Sequence, residues 1–176
     1  MAAVLVVVVL ESGEVGRVSA ATTNQWLGLR AEGPTAVAAS CALGGATSTD
    51  LSVSAWVAVT GSRFLDIIQV GVMVDPAGRH FFVAYGNGEP GTPGSSYVER
   101  DLGPADALAH AFRVELNGSE WLLSIDGRVV GRIGDGFRTW PIRSVQVATE
   151  SEGAGDAIGG TRSQPVWCSR ARARMA

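Results

Sequence analysis

The stretch Ser54–Val74, SAWVAVTGSRFLDIIQVGVMV, decides the fold. At its start Val53, Ala55, Val57 and Val59 share one face, with Ser54, Trp56 and Ala58 on the other. Further on, Ile68, Val70, Val72 and Val74 share a face, which leaves Ile67, Gln69, Gly71 and Met73 opposite. A period of two marks a strand with one face on a core, so the stretch predicts two strands and a short loop. Gln69 is the one polar side chain in the middle of the second strand. Burying its amide without partners would cost roughly 1–3 kcal/mol. The ordinary account is a core amide held by backbone or water.

The same pattern recurs on both sides. Thr35–Leu43 reads as a strand that stops at Gly44-Gly45. After a Pro–Gly turn at Asp75–Gly78, Phe81, Val83 and Tyr85 alternate with His80, Phe82 and Ala84. Asn87–Ser96, NGEPGTPGSS, is a loop of the kind that often carries function, and Tyr97–Leu102 returns as a strand. Phe112, Val114 and Leu116 lead into Asn117-Gly118, while Trp121, Leu123 and Ile125 lead into Asp126-Gly127. Those dipeptides supply the positive φ angles of tight hairpins, so an antiparallel meander is predicted. For Trp56 and Trp121, each taken singly, the ordinary reading is core packing, and for Trp121 it is the expectation. In Ser144–Glu150, Ser144, Gln146, Ala148 and Glu150 share a face opposite Val145, Val147 and Thr149. Ser151–Gln164 reads as loop and Pro165–Arg174 as a closing strand. With no long helix and no repeat, the expectation is an all-β sandwich of two antiparallel sheets.

Composition narrows the partners. The 176 residues fit one domain, and a net charge of −3 leaves no basic excess to neutralise phosphates, so nucleic acid is not an expected partner. Arg170, Arg172 and Arg174 read as a solvated edge or tail. The opening MAAVLVVVVL is apolar over only about half of a 20-residue membrane span, so no membrane partner is expected. No basic residue precedes it, which makes a poor signal peptide, although Val18-Ser19-Ala20 could pass for a cleavage site. Residues 1–23 are therefore read as an N-terminal strand or a leader remnant, and 24–176 as the sandwich domain. Cys41 and Cys168 have no metal-ligand spacing, and no metal or cofactor motif occurs. The two cysteines could bridge only if the closing strand pairs near Thr35–Leu43.

The pair "SAWVAVTG…IIQVGV" resembles the "SAWVGIDG…ILQTGV" core of the glutamic peptidases, or eqolisins. Asn24, Trp26 and Gly28 resemble that family's N-W-x-G opening with one residue inserted, and "VQVATESEG" is similar to its "EWIVE" strand. The resemblance implies a concanavalin A-like jelly roll and a secreted acid endopeptidase acting on polypeptide. It implies Gln69 and Glu150 as catalytic residues, with Trp26, Trp56, Tyr85 and Asn87 contacting substrate. A Glu can take a proton from the attacking water, and a Gln amide can donate to the oxyanion. The two side chains should then sit in one sheet, on one face, no more than a water apart. Burial should also raise the Glu150 carboxyl.

Departures from the family are plain. Its "AWYEWYP" segment becomes Ala84–Pro90, with Asn87 in place of Glu, and the Trp of "EWIVE" becomes Val147. The catalytic pair would remain while the aromatic groove thins. The alternatives are a non-catalytic carbohydrate- or ligand-binding sandwich, with Trp26, Trp56 and Tyr85 as stacking surfaces, and a structural domain without a small ligand.

Overall fold

Strands of period two, each apolar on one face, must pair edge to edge and bury that face against a second sheet. The computed structural model describes residues 24–32, 36–44, 53–152 and 167–175, with side chains over 53–148. Within them lie β1 (Asn24–Glu32), β2 (Ala36–Gly44), β3 (Val53–Thr60), β4 (Ile67–Asp75), β5 (Gly78–Asn87) and β6 (Ser96–Pro104). These are followed by β7 (His110–Asn117), β8 (Glu120–Ile125), β9 (Arg128–Gly134), β10 (Ser144–Glu152) and β11 (Trp167–Met175). One 3-10 turn, Asp135–Phe137, follows β9.

One sheet runs β1-β10-β3-β4-β5-β6 and the other β11-β2-β7-β8-β9, and all the pairings are antiparallel. The β3–β4 pair is the one expected from Ser54–Val74, in register from Val53 opposite Val74 to Thr60 opposite Ile67. The meander β7–β8–β9 closes on Gly118 at φ 63° and on Asp126 and Gly127 at φ 51° and 80°. Those positive angles are what Asn-Gly and Asp-Gly turns provide.

The core fills the space between the sheets. Val57, Val59, Ile68, Val70 and Val83 from the first sheet meet Phe112, Val114, Trp121 and Leu123 from the second. Each such side chain contributes about 1.5–3 kcal/mol by leaving water. Trp121 is fully buried here and its Nε1–H donates to Asp135 Oδ1 at 2.6 Å, so its expected core role holds.

The closing strand pairs with β2, as a Cys41–Cys168 bridge would require. Cys168 lies opposite Leu43, two residues from Cys41. Both cysteine side chains lie outside the described residues, as do residues 1–23 and 153–166. Among the described residues no helix is long and apolar enough to cross a membrane.

Candidate functional site

The first sheet has a second apolar face, turned away from the core. Trp56, Ala58, Phe82, Ala84 and Ala148 form it, with Ile67 and Met73 packed against them. Trp56 lies beside Gly71 because only glycine fits there. A Cβ at Gly71 would come within 2.8 Å of the Trp56 Cβ and 2.2 Å of the Ala55 carbonyl.

The pairing register lays this face out in rows. Gln69 is opposite Ala58, which is opposite Gln146, and on its other side Ala84 and Glu99 follow. Long polar side chains thus alternate with alanines across five strands. Gln69 is 7% exposed, so it keeps a little contact with solvent. Gln146 Nε2 donates to Thr60 Oγ1 at 3.0 Å and to Ser144 Oγ at 3.2 Å. Thr60 Oγ1 and Ser144 Oγ are themselves 2.7 Å apart. The next row holds a more unusual group. Trp56 is 4% exposed and its Nε1–H is buried without a partner among the described residues.

One end of this sheet is fixed by a buried charge. Asp66, 1% exposed, ends the β3–β4 loop. It accepts from Arg63 Nε at 3.0 and 3.1 Å, from the Arg63 amide at 3.0 Å and from the Gly88 amide at 2.9 Å. Burial would push this carboxyl up, but those hydrogen bonds and the Arg63 charge outweigh it and hold Asp66 below the usual carboxylate range. The contact to Gly88 ties the β3–β4 loop to the start of the β5–β6 loop. Among the described residues no group of three or more His, Cys, Asp or Glu is placed to hold a metal.

The residues singled out from sequence now separate. Trp56 and Gln69 share the outer face, in adjacent rows. Tyr85 does not join them: it packs against the inner core with its ring 4.9 Å from Phe137, edge to face. Asn87 also serves the fold. Its Nδ2 donates to the Phe137 carbonyl at 3.1 Å, and its Oδ1 accepts from the Thr139 amide at 3.1 Å. Both expectations of substrate contact are corrected on that ground, since strand alternation turns these two positions away from Gln69. The backbone of Trp26 is opposite Glu150, which is opposite Ser54; the side chains of Trp26 and Glu150 lie outside the described residues.

The peptidase reading does not survive this register. β10 and β4 are separated by β3, and Glu150 is four residues along β10 from Gln146, the residue in line with Gln69. Two strand spacings and four residue rises put the Gln69 and Glu150 Cα atoms about 16 Å apart, too far to hold one water between them. The position in line with Gln69 is an amide, which cannot act as a general base near neutral pH. Gln146 is the residue that sequence reading passed over. Its signal was available, because alternation already placed it on the face of Glu150.

No known family's sequence pattern matches the chain, and no curated protein matches it. Solved structures do, among them three that are remote in sequence. A structure from work on endo-acting O-glycanases of the human gut microbiota that initiate mucin breakdown matches with TM-score 0.54 at 7% identity, over 79% of this chain and 57% of that one. The alginate lyase AlyC3, in complex with dimannuronate, matches with TM-score 0.52 at 10% identity, over 87% and 74%. The Crh5 transglycosylase matches with TM-score 0.50 at 13% identity, over 80% and 57%. The chain thus spans little more than half of the first of these. These matches are with proteins named for glycans, and they lend nothing to a glutamic peptidase or a polypeptide substrate. What they share with this chain is its architecture: the molecule is a concanavalin-like β-sandwich of two antiparallel sheets.

Proposed function

We propose that the outer face of the six-stranded sheet binds a carbohydrate and does so without catalysis. The observation that carries this reading is the hydrogen-bonding capacity left unused on an apolar floor. Trp56 Nε1–H has no partner among the described residues, and the Gln69 amide, 7% exposed, stands in the adjacent row. A sugar presents C–H faces ringed by hydroxyls, so it can rest on the more accessible apolar residues of this face, Ile67, Met73 and Tyr97, beside the buried cluster of Trp56, Phe82 and the alanines. Amides, not carboxylates, occupy the centre of the face, which suits binding better than acid–base chemistry. The glycan-directed proteins on the same fold support the reading only by analogy. Trp26 and Glu150, adjacent in register, would extend the site towards β1. An extracellular place of action belongs to the same proposal.

Titration calorimetry against a panel of neutral and charged oligosaccharides tests it, with Gln69→Ala as the comparison. The expected result is binding that weakens about tenfold or more in the variant, as for loss of a hydrogen bond made in a desolvated site. Absence of binding to every member of the panel would defeat the proposal. Release of new reducing ends would turn it into a hydrolase instead.

A further inference from the structure

The charge pattern of the same face specifies its ligand further, and this step rests on the carbohydrate-binding reading. β6 is the edge strand, and it closes both rows of the site with carboxylates. Glu99 stands in the row of Gln69, two strands away, and Asp101 stands in the row of Trp56, three strands away. Strand spacing puts their Cα atoms about 10 Å and about 14 Å from Gln69 and Trp56. Both side chains are exposed, and the Tyr97 hydroxyl, 45% exposed as a residue, donates to Glu99 Oε2 at 2.8 Å. Two further ionisable groups of the face, His80 and Asp75, meet each other at 4.0 Å. In the register of β1, Arg30 stands opposite Gln146 at the far end of the Gln69 row from Glu99, and Glu32 and Glu150 stand in the neighbouring rows, so acidic positions outnumber the basic one on this face. The unpartnered Trp56 indole, 4% exposed, marks the same row as a place where a ligand oxygen is wanted.

We infer that the face selects uncharged glycans and rejects sulfated or uronic ones. A hydroxyl oxygen is welcome beside Gln69 and Trp56, whereas a sulfate or carboxylate laid along either row ends within a Debye length or so of Glu99 or Asp101. That length is about 8 Å at 0.15 M salt and about 3 Å at 1 M. Repulsion of this range is felt at physiological salt and vanishes at high salt.

Matched ligands decide the matter: neutral β-glucan and galactan oligosaccharides, and the same oligosaccharides chemically sulfated, measured on the full chain by calorimetry. At 0.15 M NaCl the sulfated form is expected to bind about fivefold or more weakly, and at 1 M the difference should fall below about twofold. In the double variant Glu99→Gln, Asp101→Asn the sulfated ligands should gain about fivefold at 0.15 M. Sulfated ligands that bind the wild-type chain as tightly as neutral ones would overturn the inference and leave carbohydrate binding standing. So would discrimination that persists at 1 M salt, a test that needs no variant to fold. Failure of neutral and sulfated ligands alike to bind would instead remove the carbohydrate reading itself.

Discussion

The two faces of the six-stranded sheet are both apolar, yet their tryptophans are treated differently. On the inner side Trp121 and Trp140 are 0% and 3% exposed, and each indole N–H has an acceptor, Asp135 Oδ1 and the Gly86 carbonyl. On the outer side Trp56 is 4% exposed and its N–H has none among the described residues. Equal burial with unequal satisfaction separates a face that is finished by the fold from one that is not. A buried donor without an acceptor costs about 1–3 kcal/mol, so its persistence calls for an explanation, and a ligand is one.

Substitutions can break this contrast, beginning with the largest effect. Trp121→Ala should destabilise the sandwich by about 3–5 kcal/mol, because it empties the centre of the core. Urea unfolding measures it, and a loss below 1 kcal/mol would show that the core is not centred there.

Asp66→Asn comes next, as the removal of a buried group whose partners are all in place. Arg63 is 42% exposed, so solvent compensates part of the loss, and about 2 kcal/mol is expected. The folded carboxyl lies below its unfolded value, so the stabilisation is complete above about pH 4 and fades as pH falls through the folded pKa. Acid melts of wild type and variant should therefore converge at low pH; a gap that is constant with pH would mean that the charge of Asp66 does not matter.

A finer comparison sets Trp121→Phe against Trp56→Phe. Both lose similar volume, but only the first removes a hydrogen bond, although Asp135 Oδ1 keeps Arg138 Nε. The Trp121 change should cost about 1–2 kcal/mol more. Equal costs would indicate that the Trp56 N–H is held by residues outside those described.

The smallest effect concerns His110, which is ion-paired on both ring nitrogens while the centre of the outer face holds no charge. Its Nδ1 is 2.7 Å from Asp126 and its Nε2 2.9 Å from Asp106. Burial would push the imidazole down, but the two carboxylates outweigh it and raise it above its ordinary value. The pairing then stabilises fully below about pH 6.5 and is lost as pH rises through the folded pKa. An NMR titration should show the His110 midpoint falling in Asp106→Asn, and an unmoved midpoint would remove Asp106 as its partner.

Much of this architecture was legible residue by residue. Alternation in Ser54–Val74 placed Gln69 on the face away from the valines, and the Asn-Gly and Asp-Gly turns marked the meander. Alternation even placed Tyr85 with Phe81 and Val83, where the structure has it. The assignment of Tyr85 to a groove came from an aligned motif that overrode its own periodicity. Strand order was not legible, because nothing local in Ser144–Glu150 says that this strand slots between β1 and β3. Without that order Gln146 and Glu150 were equal candidates to face Gln69, and four residues of register decided between them. The unpaired Trp56 N–H was likewise invisible, since satisfaction depends on distant carbonyls.

The insertion of β10 has a consequence for how the protein is made. β3 emerges from the ribosome early, yet one of its edges waits for a partner about 90 residues further on in the chain. β2 waits in the same way for β11. Neither sheet can be completed during most of synthesis, and pairing over such separations is slow and leaves sticky edges open meanwhile. Translation speed and chaperone supply, more than final stability, should therefore govern how much of this protein is recovered from a cell.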